Sequence, residues 1–292
     1  MASPDTLWRV DPLDPRAPPQ SLWDQMSEDE RAAIVDALPS DFPVSESSPP
    51  EGDRHYEAYT MARETLSRWF RDRGRRVYVS GNLPVYYPGE TMFSPDVIAV
   101  MDVEPHQRES WIVSREGGRG LDFALEVIVS GRRRKDLQEN VERYARLGIA
   151  EYFVFDRSRS MLRAYRLGER SRYERLMPQG GRYRSAVLEL DLFLEGASLR
   201  FAVGDARLLS SGELVDQLSG LINDAEQRAV ELEAALEEEQ RKREEEQRRR
   251  EEEQRRREEE QRKREEEQRK REESEREVER LRLELERLRA KG

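Results

Sequence analysis

The chain contains no cysteine and only two histidines, His55 and His106. The absence of cysteine excludes disulfides, thiolate zinc sites and a cysteine nucleophile, and it is typical of a reducing compartment. The histidines have no partner at zinc-ligand spacing, so we expect a structural role for His55. No apolar run reaches the length of a membrane span, and the first residues lack a secretory signal pattern. We therefore expect a cytoplasmic protein that does not enter a membrane.

Proline and charge are unevenly distributed along the 292 residues. Nine of the fourteen prolines fall in residues 1–50, which predicts an irregular arm with one short helix that begins after Ser27. Residues 51–204 have the mixed composition of one folded domain, and residues 211–292 have the pattern of a long helix. The net charge of −10 disfavours strong non-specific binding to DNA, because phosphate contacts require clustered positive charge.

The folded part alternates between helical and strand-like patterns. Helical spacing of apolar residues covers 55–72 and 134–147, and buried strands are predicted near 96–102, 121–129 and 151–156. This order predicts an α/β fold with a mixed central sheet flanked by helices. Further strands are expected in the same sheet at about 76–80, 83–86, 111–114, 161–167, 172–177 and 198–203.

Two acids interrupt the predicted buried strands. Glu126 lies within the apolar run 121–129, and Asp96 opens the run 96–101. A carboxylate inside a core is costly unless it is paired, and two such acids at the ends of neighbouring strands suit a hard divalent cation. Alternation of side chains along a strand places Asp122 on the same face as Glu126. The pattern predicts metal-assisted chemistry on a phosphate.

Four blocks carry a resemblance to a known family. Residues 94–100 (SPDVIAV), 125–127 (LEV), 134–137 (RKDL) and 144–156 (YARLGIAEYFVFD) resemble, in order and spacing, the bacterial Uma-type putative restriction endonucleases. That family is part of the PD-(D/E)XK nuclease superfamily, and the resemblance extends over about residues 50–204.

The resemblance implies a restriction-endonuclease-like mixed sheet with one metal-dependent site. Asp96 and Glu126 would both hold Mg²⁺ or Mn²⁺, and the reaction would be hydrolysis of a DNA phosphodiester bond. One departure concerns the positive charge that such a site needs. The superfamily lysine falls on Ile128, and the Uma-type lysine, four residues after Asp136, falls on Asn140. Lys135 is the candidate substitute.

Arg132, Arg133, Arg134 and Lys135 form a basic cluster that directly follows the Glu126 strand. Adjacent cations of this kind can contact phosphates, so Arg133 and Arg134 are candidate substrate-binding residues. The alternative is that the cluster is only a solvated turn.

The C-terminal segment has three parts: an amphipathic stretch at 211–236, a charged repeat at 237–271 and a short heptad at 278–290. The repeat has a period of seven without an apolar position, so it lacks a coiled-coil seam, but each acid has a base four residues later. We predict a long charged helix with coiled-coil seams at both ends, through which the protein forms homo-oligomers. A disordered charged tail is the alternative.

Two functions remain open from the sequence. The first is a Mg²⁺-dependent DNA endonuclease that uses Asp96, Glu126 and Lys135 as catalytic residues. The second is a catalytically degenerate relative that binds nucleic acid, or acts as a coiled-coil scaffold, without cutting; it accounts better for Asn140.

Overall fold

The computed structural model describes residues 8–40, 52–129 and 134–289, except the side chains of residues 284 and 286–289. The helices are α1 (Gln20–Trp23), α2 (Glu28–Ala37), α3 (Asp53–Asp72), α4 (Asn140–Arg146) and α5 (Ser211–Arg289), and one π-helical turn (Lys135–Glu139) precedes α4. The strands are β1 (Val77–Ser80), β2 (Val85–Tyr86), β3 (Val97–Met101), β4 (Trp111–Ile112), β5 (Phe123–Ile128), β6 (Glu151–Asp156), β7 (Met161–Leu167), β8 (Tyr173–Arg175), β9 (Arg182–Arg184), β10 (Asp191–Glu195), β11 (Ser198–Val203) and β12 (Ala206–Arg207).

The main sheet has six strands in the order β1-β3-β5-β6-β7-β8. Strands β5 and β6 are parallel, and every other neighbouring pair is antiparallel. The parallel pair needs a crossover, which the π-helical turn and α4 supply. Gly148, at a φ of 78°, ends this crossover in the left-handed conformation that helices often use at their C-termini. The α/β fold with a mixed central sheet and a long C-terminal helix, predicted from the sequence, is confirmed.

The two faces of β5 belong to different parts of the core. Phe123, Leu125 and Val127 contact the cluster formed with α3, whereas Ala124 and Ile128 contact the cluster formed with α4. Because side chains alternate along a strand, Glu126 is on the α4 face. A carboxylate therefore lies on an otherwise apolar sheet face, directly beneath the crossover helix.

Three of the predicted strands lie outside the main sheet. β11 pairs with β10, β9 and β12 in a separate antiparallel sheet of four strands, and β2 pairs with β4 in a parallel pair of two strands. The separate sheet contains a tight hairpin, in which β10 and β11 are joined through Gly196, which has a φ of 61°. Local pairing across this turn takes β11 away from the main sheet.

The N-terminal segment packs against β2 and β4 through a small apolar cluster, in which Trp23, Met26 and Ile34 contact Tyr86 and Ile112. Helix α2 begins at a capping box, because Ser27 accepts a hydrogen bond from the Glu30 amide while the Glu30 carboxylate accepts from Ser27 N. Within the residues that the structure describes, no helix combines the length and the apolar character needed to cross a membrane.

Candidate active site

The register of β3 and β5 brings Asp96 and Glu126 together. The strands are antiparallel with Val97 opposite Leu125, so Asp96, which directly precedes β3, lies opposite Glu126. The Asp96 amide donates to Glu126 Oε2 at 3.4 Å, and the Val127 amide donates to Asp96 Oδ2 at 2.6 Å. Both acids are buried, with 6% and 4% of their surfaces exposed. Two carboxylates that are thirty residues apart in the chain thus share one small buried region.

His55 contacts the first of these acids. It is at the start of α3, and its Nε2 lies 3.0 Å from Asp96 Oδ2, within hydrogen-bond distance. The ring is buried, so this contact is shielded from solvent. Sequence reasoning expected a structural role for His55 and did not connect it to Asp96. The structure places it where it can orient that carboxylate.

The crossover supplies three further polar groups. Asn140 donates from Nδ2 to Glu126 Oε1 at 3.2 Å and to Asp136 Oδ1 at 3.1 Å. The Tyr144 hydroxyl donates to the same Glu126 Oε1 at 2.8 Å. Asn140 occupies the position where the resemblance places a lysine, and it is a buried amide that bridges two carboxylates.

Asp136 and Tyr144 were not among the predicted site residues. A signal existed in the sequence, because Asp136, Asn140 and Tyr144 are spaced by four and fall near one face of a helix. The π-helical turn at 135–139 alters the helical repeat at the start of this face, so spacing alone could not settle which side chains converge.

Negative charge exceeds positive charge within the buried part of the site. Burial, with a further contribution from Asp96 and Asp136, raises the pKa of Glu126 well above its usual value. Burial is also the main cause that raises the pKa of Asp136 to about 6; Lys135 opposes the increase and Asp96 adds to it. A proton or a cation bound among these acids would relieve their repulsion.

Lys135 is the predicted catalytic residue with the least burial. Its side chain is exposed, yet its charge is close enough to lower the pKa values of both Glu126 and Asp136. Arg134 is also exposed, and its Nε lies 3.6 Å from Glu139 Oε1. Arg132 and Arg133, the remaining members of the predicted basic cluster, lie outside the described residues.

The acidic side chains of the site would supply only part of the ligand shell of a hard divalent cation. In the described ranges, no group of three or more His, Cys, Asp or Glu side chains is arranged to hold a metal ion. Asp96 and Glu126 would then provide two carboxylate ligands, and waters or backbone oxygens would complete the shell, an arrangement that Mg²⁺ tolerates because it retains waters. Within that same part of the chain, both hydrogen bonds to the Asp96 carboxylate end on Oδ2, which leaves Oδ1 for a ligand bond.

Comparison with known proteins identifies the family. The model of the Uma2 family, described as "Putative restriction endonuclease", matches residues 44–202, which is more than half of the chain. The chain belongs to this family. No curated protein matches it.

Several solved structures are similar to part of this chain. One of them is a crystal structure of a putative nuclease belonging to DUF820 from Anabaena variabilis, with 13% sequence identity and a TM-score of 0.42. The match covers 59% of this chain and 97% of the other.

Proposed function

We propose that the protein is a metal-dependent endonuclease that hydrolyses phosphodiester bonds in DNA. The observation that carries the proposal is the convergence of the buried Asp96 and Glu126 carboxylates across the β3–β5 register. The family model is described as "Putative restriction endonuclease", which names DNA as the substrate class, and the charge excess at this site favours a cation among the acids.

The residues of the chain have separable roles in this proposal. Asp96 and Glu126 would hold Mg²⁺ or Mn²⁺, which when bound supplies a Lewis acid for the phosphate and lowers the pKa of a coordinated water. His55 orients Asp96, whereas Asn140 and Tyr144 fix Glu126 through its Oε1 atom. Such hydrogen bonds hold the two carboxylates in one geometry and reduce the reorganisation that catalysis would otherwise require.

Lys135 would supply the positive charge that the family position, Asn140, lacks. It is exposed, but it already acts electrostatically on Glu126 and Asp136. A charge placed there stabilises the extra negative charge of a pentavalent phosphate. Arg134, and Arg133 outside the described residues, would contact the flanking phosphates of the substrate.

A second basic surface supports binding of a polyanion. A cleft of about 920 Å³ beside β1 is lined by several arginines, including Arg63, Arg71 and Arg76. The cleft ends near the site, because Gly81 is close to both. A Cβ atom built on Gly81 would be 3.4 Å from Cδ of Arg63, which lines the cleft, and 2.9 Å from the backbone oxygen of Asp96. In an acidic protein, such a local cluster is a suitable surface for phosphates of the DNA backbone.

The test is cleavage of supercoiled plasmid with Mg²⁺, with Mn²⁺ and with a chelator. We expect nicking that needs the metal and that Asp96→Asn and Glu126→Gln both abolish. Asp72→Asn, which removes an exposed acid of α3, is the matched control and should cleave normally. Circular dichroism of each variant separates loss of chemistry from loss of folding. Metal-dependent nicking that survives both substitutions would refute the proposed site.

The second function, binding of nucleic acid without cleavage, is favoured by the buried amide of Asn140. In that case the wild type would bind DNA and cut nothing, and Asn140→Lys would install the charge that the family position normally carries. Cleavage that appears only in Asn140→Lys would establish the degenerate state. Cleavage by the wild type that Lys135→Ala reduces would establish the first proposal.

A further inference from the structure

Helix α5 carries an apolar seam whose large side chains are exposed. From residue 215 to residue 236, every a and d position of a heptad repeat is apolar: Val215, Leu218, Ile222, Ala225, Ala229, Leu232 and Leu236. The large side chains on it are more than half exposed, for example Leu218 at 57% and Leu232 at 64%. Such a stripe is the seam that a second helix covers in a coiled coil.

A second apolar stretch continues the same heptad phase. Val278, Leu281 and Leu285 fall at consecutive a, d and a positions, and they are 49%, 53% and 55% exposed. The 63 residues that separate Leu218 from Leu281 are nine full heptads, so no residue is inserted or missing between the two stretches. A constant phase over this length keeps both stretches on the same side of a supercoiled pair of helices.

The charged repeat between them places one type of charge at each seam position. Every a position is arginine (Arg243, Arg250, Arg257, Arg264 and Arg271), and every d position is glutamate (Glu239, Glu246, Glu253, Glu260 and Glu267). Within one helix these groups already form ion pairs along the seam, such as Arg257 with Glu253 at 2.6 Å. The repeat therefore extends the seam with charges in place of apolar residues.

The charge pattern distinguishes the two possible directions of a partner helix. In a parallel pair in register, a faces a and d faces d, so arginine would meet arginine and glutamate would meet glutamate at ten successive seam positions. In an antiparallel pair, each a position faces a d position of the other helix, so every arginine meets a glutamate. Like charges held opposite each other destabilise a pair, and unlike charges stabilise it.

We propose that α5 pairs with α5 of a second copy of this chain in antiparallel orientation, with Arg257 facing Glu253 of that copy. The same register pairs Arg250 with Glu260 and Arg243 with Glu267. It also places Ala229 opposite Leu281, Ala225 opposite Leu285 and Leu232 opposite Val278. Both alanines thus face a leucine, which fills the space between the two helices at these layers.

The apolar stretches select this register from its neighbours. A shift by one heptad in one direction places Leu236 opposite Glu267, and a shift in the other direction places Glu239 opposite Val278. Either shift buries a carboxylate against an aliphatic side chain at two symmetric positions of the pair, which is unfavourable. In the proposed register, Leu236 faces Ser274 instead.

The basic residues that flank the seam oppose the antiparallel pair only weakly. The positions that precede each arginine of the seam, such as Lys242 and Lys263, would face one another across the edge of the pair. These positions lie at the edge of the interface, where side chains stay in contact with solvent, so water and salt screen the repulsion. The charges at the seam itself are closer together and less screened, and they decide the orientation.

Cysteine cross-linking of the full-length chain tests the orientation, because the chain has no cysteine of its own. Ala229→Cys and Leu281→Cys are prepared separately, one of them with an affinity tag, and are treated with a short bis-maleimide alone and after mixing. We expect a covalent dimer in the mixture and little in either variant alone. Cross-linking of Ala229→Cys to itself would establish a parallel pair and overturn the proposal.

Sedimentation equilibrium tests whether the helices associate through the seam. We expect a species with twice the 34.4 kDa mass of the chain. Leu232→Lys should weaken association by ~100-fold, roughly tenfold (1.4 kcal/mol) at each of the two symmetric layers. Val230→Lys is the matched control, since Val230 is equally exposed at 65% but lies off the seam. A monomer at all concentrations, or equal effects of the two substitutions, would overturn the proposal.

Discussion

Replacement of Asp136 by asparagine is a direct test of the electrostatics of the site. Asparagine has the same shape, and its Oδ1 can still accept the hydrogen bond that Asn140 donates. The substitution therefore removes a negative charge from the vicinity of Glu126 and Asp96 and leaves the packing and this hydrogen bond in place. Any change in stability then reports mainly on charge.

The expected magnitude follows from the pKa of Asp136. Folding raises this pKa from 3.8 to about 6, a shift of about two units. One unit corresponds to about 1.36 kcal/mol, so the ionised carboxylate destabilises the folded state by up to ~3 kcal/mol above pH 6. Because the side chain is partly exposed, solvent screening reduces the expected gain from Asp136→Asn to ~1–2 kcal/mol.

The sign of the pH dependence is fixed by the direction of the shift. An acid whose pKa is raised by folding binds more protons in the folded state, so its contribution to stability is present at low pH and is lost as pH rises through about 6. Only well below pH 3.8 is the carboxyl neutral in both states, and there the variant and the wild type should be equally stable. Between pH 4 and 6 the variant should become progressively more stable than the wild type.

The assay is urea denaturation in the presence of a chelator, at several pH values from 4 to 7.5, with tryptophan fluorescence as the signal. The difference in unfolding free energy between variant and wild type is compared at each pH, so other titrating groups cancel to first order. Asp72→Asn, an exposed acid, should change stability by less than ~0.5 kcal/mol at every pH. A variant that is no more stable than the wild type at pH 7.5 would contradict the inferred charge excess.

Three further outcomes are expected. Tyr144→Phe removes the hydroxyl that donates to Glu126 Oε1 in the core and should lower the free energy of unfolding by ~1–2 kcal/mol, measured by urea denaturation. Mg²⁺ at one hundred times its dissociation constant should stabilise the wild type by about 2.7 kcal/mol, and Asp96→Asn should lose this effect in thermal denaturation. Lys135→Ala should reduce plasmid cleavage ~10²- to 10³-fold, whereas the exposed Lys242→Ala should not change it; equal rates would exclude Lys135 as the source of positive charge.

The local patterns of the sequence were sufficient for the main elements of the fold. The helical spacing at 55–72 corresponds to α3, and the apolar runs around Asp96 and Glu126 correspond to β3 and β5. These patterns are reliable because burial of one helix face, or of both faces of a strand, requires apolar residues at a regular spacing within a short segment of sequence. The second sheet was missed in part, since β9 has three residues and carries little periodicity of its own.

Pairing between distant strands, in contrast, cannot be predicted from local sequence patterns. The sequence marked Asp96 and Glu126 as unusual, but only the antiparallel register of β3 and β5 brings their carboxylates together, because a slip by one residue would turn Glu126 to the other face of the sheet. In the same way, the contact of His55 with Asp96 depends on how α3 packs on the sheet.

Local residue patterns were enough to predict the main helices and strands, the unusual buried acids and the heptad phase of α5, since each is encoded by residues within a few turns or a single strand. Which polar groups share the site depends on the three-dimensional fold: His55 comes from α3, Asp96 precedes β3, Glu126 is in β5, and Asp136 and Asn140 come from the crossover. A site of this kind is assembled from contacts between segments far apart in the chain, and these contacts depend on strand register and helix packing that no local pattern specifies.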